Sequence, residues 1–168
     1  QLHDGRGGKI LIVDDKPSSF DRMSRILTAE QSVSVVSNPQ EALFKAAEDD
    51  FDLVIVSLAI EDFDALRLCS QLRSLDRTRM IPLLLVTRER EDSQLIRAID
   101  LGVNDYIQRP VEANELLARC RTQVRRKRAN DQLRDNVQQT MEMAIKDPLT
   151  GLYNRRYFDT HMEALLDK

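Results

Sequence analysis

The sequence predicts an α/β fold: a five-stranded parallel sheet covered by helices, (βα)5, followed by a long helical linker. Three observations predict it. Short apolar runs alternate with helical patterns of about ten residues, five times over. The central runs are apolar without alternation, as strands covered on both faces require. From Glu112 to Lys146 there is neither proline nor glycine, so nothing in the backbone chemistry stops a helix there.

The elements follow in order. "QLHDGRGG" (1–8) reads as a flexible leader. "KILIVDD" is a strand closed by Asp14 and Asp15. Pro17 suits the first turn of the next helix, where no amide proton is needed, and Phe20, Met23, Ile26 and Leu27 share one face. "VSVVS" is the second strand. Asn38 then caps a helix, with Pro39 at its first position and Glu41 three residues after the cap. "FDLVIVS" is the third strand. It ends at Ser57, and an acidic loop with Glu61, Asp62 and Asp64 leads to a helix over 65–75. "IPLLLVT" ends at Thr87, and "EDSQLIRAIDLG" is a helix stopped by Gly102. "NDYIQ" is short and less apolar, which suits an edge strand. Arg109 and Pro110 follow it, and a helix resumes near Glu112.

The 168 residues suffice for one full domain and an appendage. A net charge of -3 does not advertise nucleic acid or a membrane surface. No apolar run approaches the ~18 residues of a membrane span. There is no signal-peptide pattern and no starting methionine, which predicts a piece of a cytoplasmic protein. Cys69 and Cys120 fall inside helices and are expected as buried thiols, not as a disulfide. The basic run Arg125 to Arg128 lacks interleaved aromatics and has acids nearby, so a solvated face outweighs a nucleic-acid-binding regulator.

In a parallel sheet the crevice lies beyond the carboxyl ends of the strands. That rule gathers Asp14, Asp15, Ser57, Thr87 and Arg109. Two adjacent carboxylates offer oxygen ligands to Mg2+. A hydroxyl and a cation beside them suit a phosphoryl group. An acid pair at one strand end often only meets solvent, but five such positions at one edge weigh against that.

These motifs resemble the receiver domain of two-component response regulators, a CheY-like, flavodoxin-like fold. "ILIVDDKP", "FDLVIVSLAIEDFDALRLC", "IPLLLVT" and "GVNDYIQRPV" carry the resemblance across about residues 9–125. It implies that Asp14 and Asp15 belong to the Mg2+ pair, Thr87 is the switch hydroxyl and Tyr106 the switch aromatic. Arg109 stands where the family has lysine, and Ala65 replaces a usual glycine. Ser57 stands where the family has the aspartate that accepts phosphate. A serine hydroxyl needs a general base to become a nucleophile, and His3 and His161 lie elsewhere in the chain. The pocket therefore reads as degenerate, with no catalysis of its own and at best weak Mg2+ binding. The competing reading is an active receiver phosphorylated at Asp62 or Asp64.

Beyond the receiver, Cys120, Val124, Leu133, Val137, Met141 and Ile145 fall partly at helical spacing. They predict one signalling helix with weak or conditional self-pairing. "DPLTGLYNRR" resembles the entry of GGDEF domains, which make cyclic di-GMP from two GTP molecules. The sequence stops before the GGDEF signature. Arg73 and Asp76 in "RSLD" imitate that family's product-binding pattern, and their place in a receiver helix predicts a chance match. The whole resembles the second, adaptor receiver of PleD-type regulators, which have two receivers and a cyclase and act in bacterial differentiation. That implies a leader (1–8), a receiver lacking its acceptor (9–124), a signalling helix (125–146) and a truncated GGDEF start (147–168). The implied partners are a phosphorylatable receiver, the GGDEF domain and a second copy of the parent, with no membrane. Family members commonly pair through the fourth helix, fifth strand and fifth helix, where this chain has Arg97, Asp100, Asp105 and Arg119.

Overall fold

Runs such as "LVIVS" and "LLLVT" have no polar face to turn toward water, so they form strands only where both faces are covered. The computed structural model describes residues 4–61, 63–88 and 92–145. In it β1 (Lys9–Val13), β2 (Ser32–Val36), β3 (Leu53–Ser57), β4 (Leu83–Thr87) and β5 (Asp105–Gln108) form one sheet in the order β2-β1-β3-β4-β5. Every neighbouring pair is parallel. All residues of β3 and β4 are buried, whereas β2 and β5 lie at the edges and are partly exposed, as the weaker apolar character of β5 predicts.

The helices are α1 (Pro17–Leu27), α2 (Pro39–Glu48), α3 (Ala65–Ser74), α4 (Asp92–Asp100) and α5 (Ala113–Ile145). Side chains alternate across each strand, so the sheet has two cores. Leu11, Val13, Val54, Val56, Leu83 and Leu85 pack with α2 and α3 residues such as Ala42, Leu68 and Leu72, and with Ala98 of α4. Ile10, Ile12, Leu53, Ile55, Leu84 and Val86 pack with Met23 and Leu27 of α1 and with Leu116, Cys120 and Val124 of α5.

The local signals act as read. Asn38 Oδ1 accepts from the Gln40 amide at 2.8 Å, with Pro39 at the first helical position. Asp64, not read as a cap from the sequence, caps α3 in the same way, its Oδ1 accepting from Leu66 at 3.0 Å. Gly102, at φ +95°, ends the turn after α4, a conformation that costs side-chain-bearing residues. Cys69 and Cys120 are fully buried free thiols.

Two expectations change. Residues 4–8 are not a loose leader. Gln31 is buried beneath them, accepting from Gly8 N at 2.6 Å and donating to Gly5 O at 2.7 Å. Gly5 lies so close to α5 that a Cβ there would stand 2.2 Å from the Arg121 carbonyl oxygen. The basic run is not wholly a solvated face: Lys127 is buried, and Arg128 donates to Arg6 O at 2.6 Å. The chance match expected of Arg73 and Asp76 agrees with their contacts, which are not to one another. The Arg73 guanidinium donates to the carbonyls of Gly102, Arg79 and Ile81 and to Asn104 Oδ1, at 2.6–3.1 Å. Asp76 is exposed and faces Arg79 at 3.7 Å.

The chain divides into two compact units, Gln1–Arg128 and Ala129–Lys168. Helix α5 runs from Ala113 to Ile145 without a break, as the absence of glycine and proline predicts. In its second part Leu133, Val137 and Met143 are exposed. Asp62 and the GGDEF-like segment 147–168 lie outside the described residues. Among those described, no helix is long and apolar enough to cross a membrane.

Candidate functional site: the crevice at the carboxyl edge of the sheet

The register places Val13 opposite Val56, Ser57 opposite Val86 and Thr87 opposite Gln108. The residues that end these strands therefore meet at one edge. Asp14, Ser57 and Thr87 are buried there, and Asp15 and Arg109 are partly buried. All five crevice residues predicted from the strand ends reach this edge.

Arg109 spans the floor. Its Nη2 donates to Ser57 Oγ at 2.9 Å and lies 3.8 Å from Asp14 Oδ2, and its Nη1 donates to Ser19 Oγ at 2.8 Å. Ser57 Oγ also accepts from the Ala59 amide at 3.3 Å. Two donors thus point at the serine oxygen, and among the described residues its hydroxyl makes no hydrogen bond to a base. The arrangement holds the hydroxyl oxygen between two donors.

The acid pair is engaged differently on its two members. Asp14 Oδ1 accepts from the Lys16 amide at 3.1 Å, while its buried Oδ2 has no hydrogen-bond partner among the described residues and lies 3.8 Å from the Arg109 guanidinium. Asp15 Oδ2 accepts from the Glu61 amide at 3.0 Å, and its Oδ1 faces the Lys16 ammonium at 3.5 Å. That ammonium also donates to Ala59 O at 2.9 Å and lies 3.6 Å from Glu61 Oε1. Lys16, Ser19 and the Ala59 carbonyl were not among the predicted site residues. The letters "DDKP" place a cation beside the acids, but they do not show that its side chain crosses to the loop after β3.

The switch positions part company. Thr87 Oγ1 donates to Ile107 O at 3.4 Å, toward β5. Tyr106 stands on the outer side of β5, 40% exposed. Near it, Asp105 and Arg119 pair within the chain, Arg119 Nη1 donating to Asp105 Oδ1 at 2.9 Å, and Arg97 and Asp100 of α4 are exposed. Sequence reading missed the apolar part of this side: Ile96 and Ile99 of α4 are 63% and 57% exposed. Burial pushes the Cys69 and Cys120 thiols up to about 12, so neither is a thiolate nucleophile at neutral pH.

Residues 10–121 match the family described as the response regulator receiver domain. The response regulator PleD of Caulobacter vibrioides is 40% identical over 165 residues, which is 98% of this chain and 36% of that protein. The chain thus spans about a third of the length of this relative. Among solved structures, a protein described as a response regulator from Chloroflexus aurantiacus is 27% identical at a TM-score of 0.67, covering 71% of this chain and 98% of that one. The receiver domain of a sensor histidine kinase from Pseudomonas aeruginosa, solved with a magnesium ion coordinated in its active-site cleft, shares the fold. Its TM-score is 0.62 at 21% identity, covering 70% of this chain and 98% of that one. Fold, crevice position and family match agree: the chain belongs to the response regulator receiver domain family, whose members are phospho-acceptor modules of two-component signalling and are not themselves enzymes.

Proposed function

We propose that this chain is a non-catalytic adaptor receiver that works by packing, within a PleD-type regulator whose GGDEF domain makes cyclic di-GMP. The observation that carries the reading is the pair of donors on Ser57 Oγ, Arg109 Nη2 at 2.9 Å and the Ala59 amide at 3.3 Å, at the strand end where a phospho-accepting carboxylate would stand. The similarity to PleD over 98% of this chain supports the rest of the architecture. In it, residues 9–124 are the receiver, 125–146 the signalling helix and 147–168 the start of the cyclase domain. A phosphorylatable receiver in the same parent supplies the signal, and two copies of the parent pair.

Two surfaces support pairing with a second copy. On α4 and β5, exposed Ile96, Ile99 and Tyr106 stand with Arg97 and Asp100. On α5, Leu133 and Val137 are four residues apart and exposed, one stripe of a self-pairing helix. Asp105 and Arg119 satisfy one another within the chain, so they shape the α4–β5 side more than they bridge it.

The test is treatment of the protein with acetyl phosphate, followed by intact-mass measurement. No labile gain of about 80 Da is expected. Such a gain, mapped to Asp62 or Asp64, would establish the active-receiver reading instead. Asp64 already serves as the α3 cap, which disfavours it as an acceptor.

A further inference from the structure

The crevice contains two carboxylates, Asp14 and Asp15, and each leaves a buried oxygen without a hydrogen-bond partner. Each of those oxygens faces a cation of the same chain: Asp14 Oδ2 faces Arg109 at 3.8 Å, and Asp15 Oδ1 faces Lys16 at 3.5 Å. With Glu61, 3.6 Å from Lys16, three carboxylates face two cations, and Glu61 is the solvent-exposed one of the three. The Lys16 ammonium is set among three oxygens: the Ala59 carbonyl at 2.9 Å, Asp15 Oδ1 at 3.5 Å and Glu61 Oε1 at 3.6 Å. An ammonium has three protons and no acceptor, so three oxygens match it in number.

Carbonyl and carboxylate oxygens are also the hard donors that Mg2+ prefers, but Mg2+ demands near-octahedral oxygens at about 2.0–2.1 Å. To use these donors it would have to expel the Lys16 ammonium and stand near the Arg109 guanidinium. Among the described residues no group of three or more metal-ligating side chains forms, and at the third carboxylate position Ser57 supplies a hydroxyl already held by Arg109. With Lys16 seated on these oxygens, the residues present do not fit the metal.

We infer that Lys16 is the built-in cation of this crevice, taking up the oxygens a divalent metal would use, so that the domain keeps its switch edge closed without metal or phosphate. Lys16 ties the loop after β1 to the loop after β3, and Arg109 ties the loop after β5 to β3 and α1. Three of the loops that a receiver would rearrange are therefore stitched by the protein's own charges. This deepens the adaptor reading: a module that presents one constant packing surface gains from a crevice that no ligand can reset.

The test compares the wild-type chain with Lys16→Met, which keeps the length of the side chain and removes its charge. Thermal melting is recorded in EDTA and in about 10 mM MgCl2 against NaCl of equal ionic strength. Wild type should shift by less than about 1 °C between the two, whereas Lys16→Met should melt lower in EDTA and regain about 3–6 °C with MgCl2. An equal magnesium-dependent rise in both proteins would overturn the inference, as would a Lys16→Met protein that melts like wild type and ignores the metal. If Lys16→Met does not fold, calorimetric titration of wild type with MgCl2 decides. Saturable heat with a millimolar or tighter Kd overturns the inference, and its absence upholds it. Acetyl phosphate labelling of the same wild-type sample reports on Ser57 separately, so the adaptor reading and the built-in cation can fail independently.

Discussion

At the scale of single residues, the crevice turns on what Arg109 does to position 57. Replacing Ser57 with Asp restores a carboxylate, but it also places a bidentate partner next to a guanidinium whose Nη2 is 2.9 Å from the present hydroxyl. Ser57→Asp alone should therefore take up phosphate slowly from acetyl phosphate. Ser57→Asp with Arg109→Lys should label at least several-fold faster, since lysine is a point charge that does not clamp a carboxylate in a fork. Mass spectrometry over time checks the order. Arg73 makes a second prediction. It joins α3 to the loops that lead into β4 and β5 through four acceptors, and Arg73→Met leaves those oxygens without their donor. A loss of about 2–3 kcal/mol is expected by urea melting. The thiols give a third. Burial raises Cys69 and Cys120 from the usual 9.0 to about 12. Above about pH 9 the unfolded thiols ionise while the folded ones keep their protons, so the folded state binds more protons and stability falls as pH rises. Each thiol steepens that fall by up to about 1.4 kcal/mol per pH unit. The Cys69→Ala, Cys120→Ala double variant should show the shallower slope in urea midpoints measured between about pH 9 and 11.

At the scale of elements, what the sequence showed and what it hid have physical causes. The strands were legible because unbroken apolar runs have few alternatives to a doubly covered sheet. The caps read at Asn38 and Gly102 are local events, made within a few residues of the signal. The seat of residues 4–8 was hidden because it depends on buried Gln31 and on the backbone at Arg121, both distant in sequence. The Lys16 contact was hidden for a similar reason: its partner Ala59 is 43 positions away. The strand-end rule found the carboxylates and hydroxyls of the crevice because strand ends are readable, and it missed the lysine because a side chain's direction is not. Helix α5 offers the prediction at this scale. Its 33 residues make about 50 Å of helix. Residues up to Val124 bury Leu116, Cys120 and Val124, whereas Leu133, Val137 and Met143 are exposed. An apolar stripe without a partner leaves helical stability to weak local propensity. Amides from 129 to 145 should thus exchange much faster than those from 116 to 124 at low protein concentration. Protection that grows with concentration would mark self-pairing along this stretch, and protection equal to that of the first part in dilute protein would exclude the proposed role.

At the scale of the molecule, the proposed pairing would divide its work between charge and apolar area. The sequence placed Arg97, Asp100, Asp105 and Arg119 on one side, and structure shows that two of the four neutralise one another. What remains for a partner is apolar Ile96, Ile99 and Tyr106 with the exposed charges of α4. Apolar contacts carry affinity and charges carry register. In the full-length protein, Ile96→Ser with Ile99→Ser should weaken phosphate-stimulated dimerisation about ten-fold or more, judged against the ~1.5–3 kcal/mol gained on burying each isoleucine. Arg97→Glu should do less and depend on salt. Sedimentation with and without phosphodonor separates the two, and melting curves confirm that each variant folds. Dimerisation unchanged in both variants would move the pairing surface elsewhere.

The seat of the first residues has a mechanical consequence. Gly5 is pressed to the Arg121 backbone, Arg6 O takes a hydrogen bond from Arg128, and Glu30 holds both Arg6 and Arg121. A pull on the chain at residue 4 is thus delivered sideways to α5 before it reaches β1. Load entering at residue 4 and load leaving along the helix thus share one knot, which the Gly8–Ser32 hydrogen bond also ties to the edge strand β2.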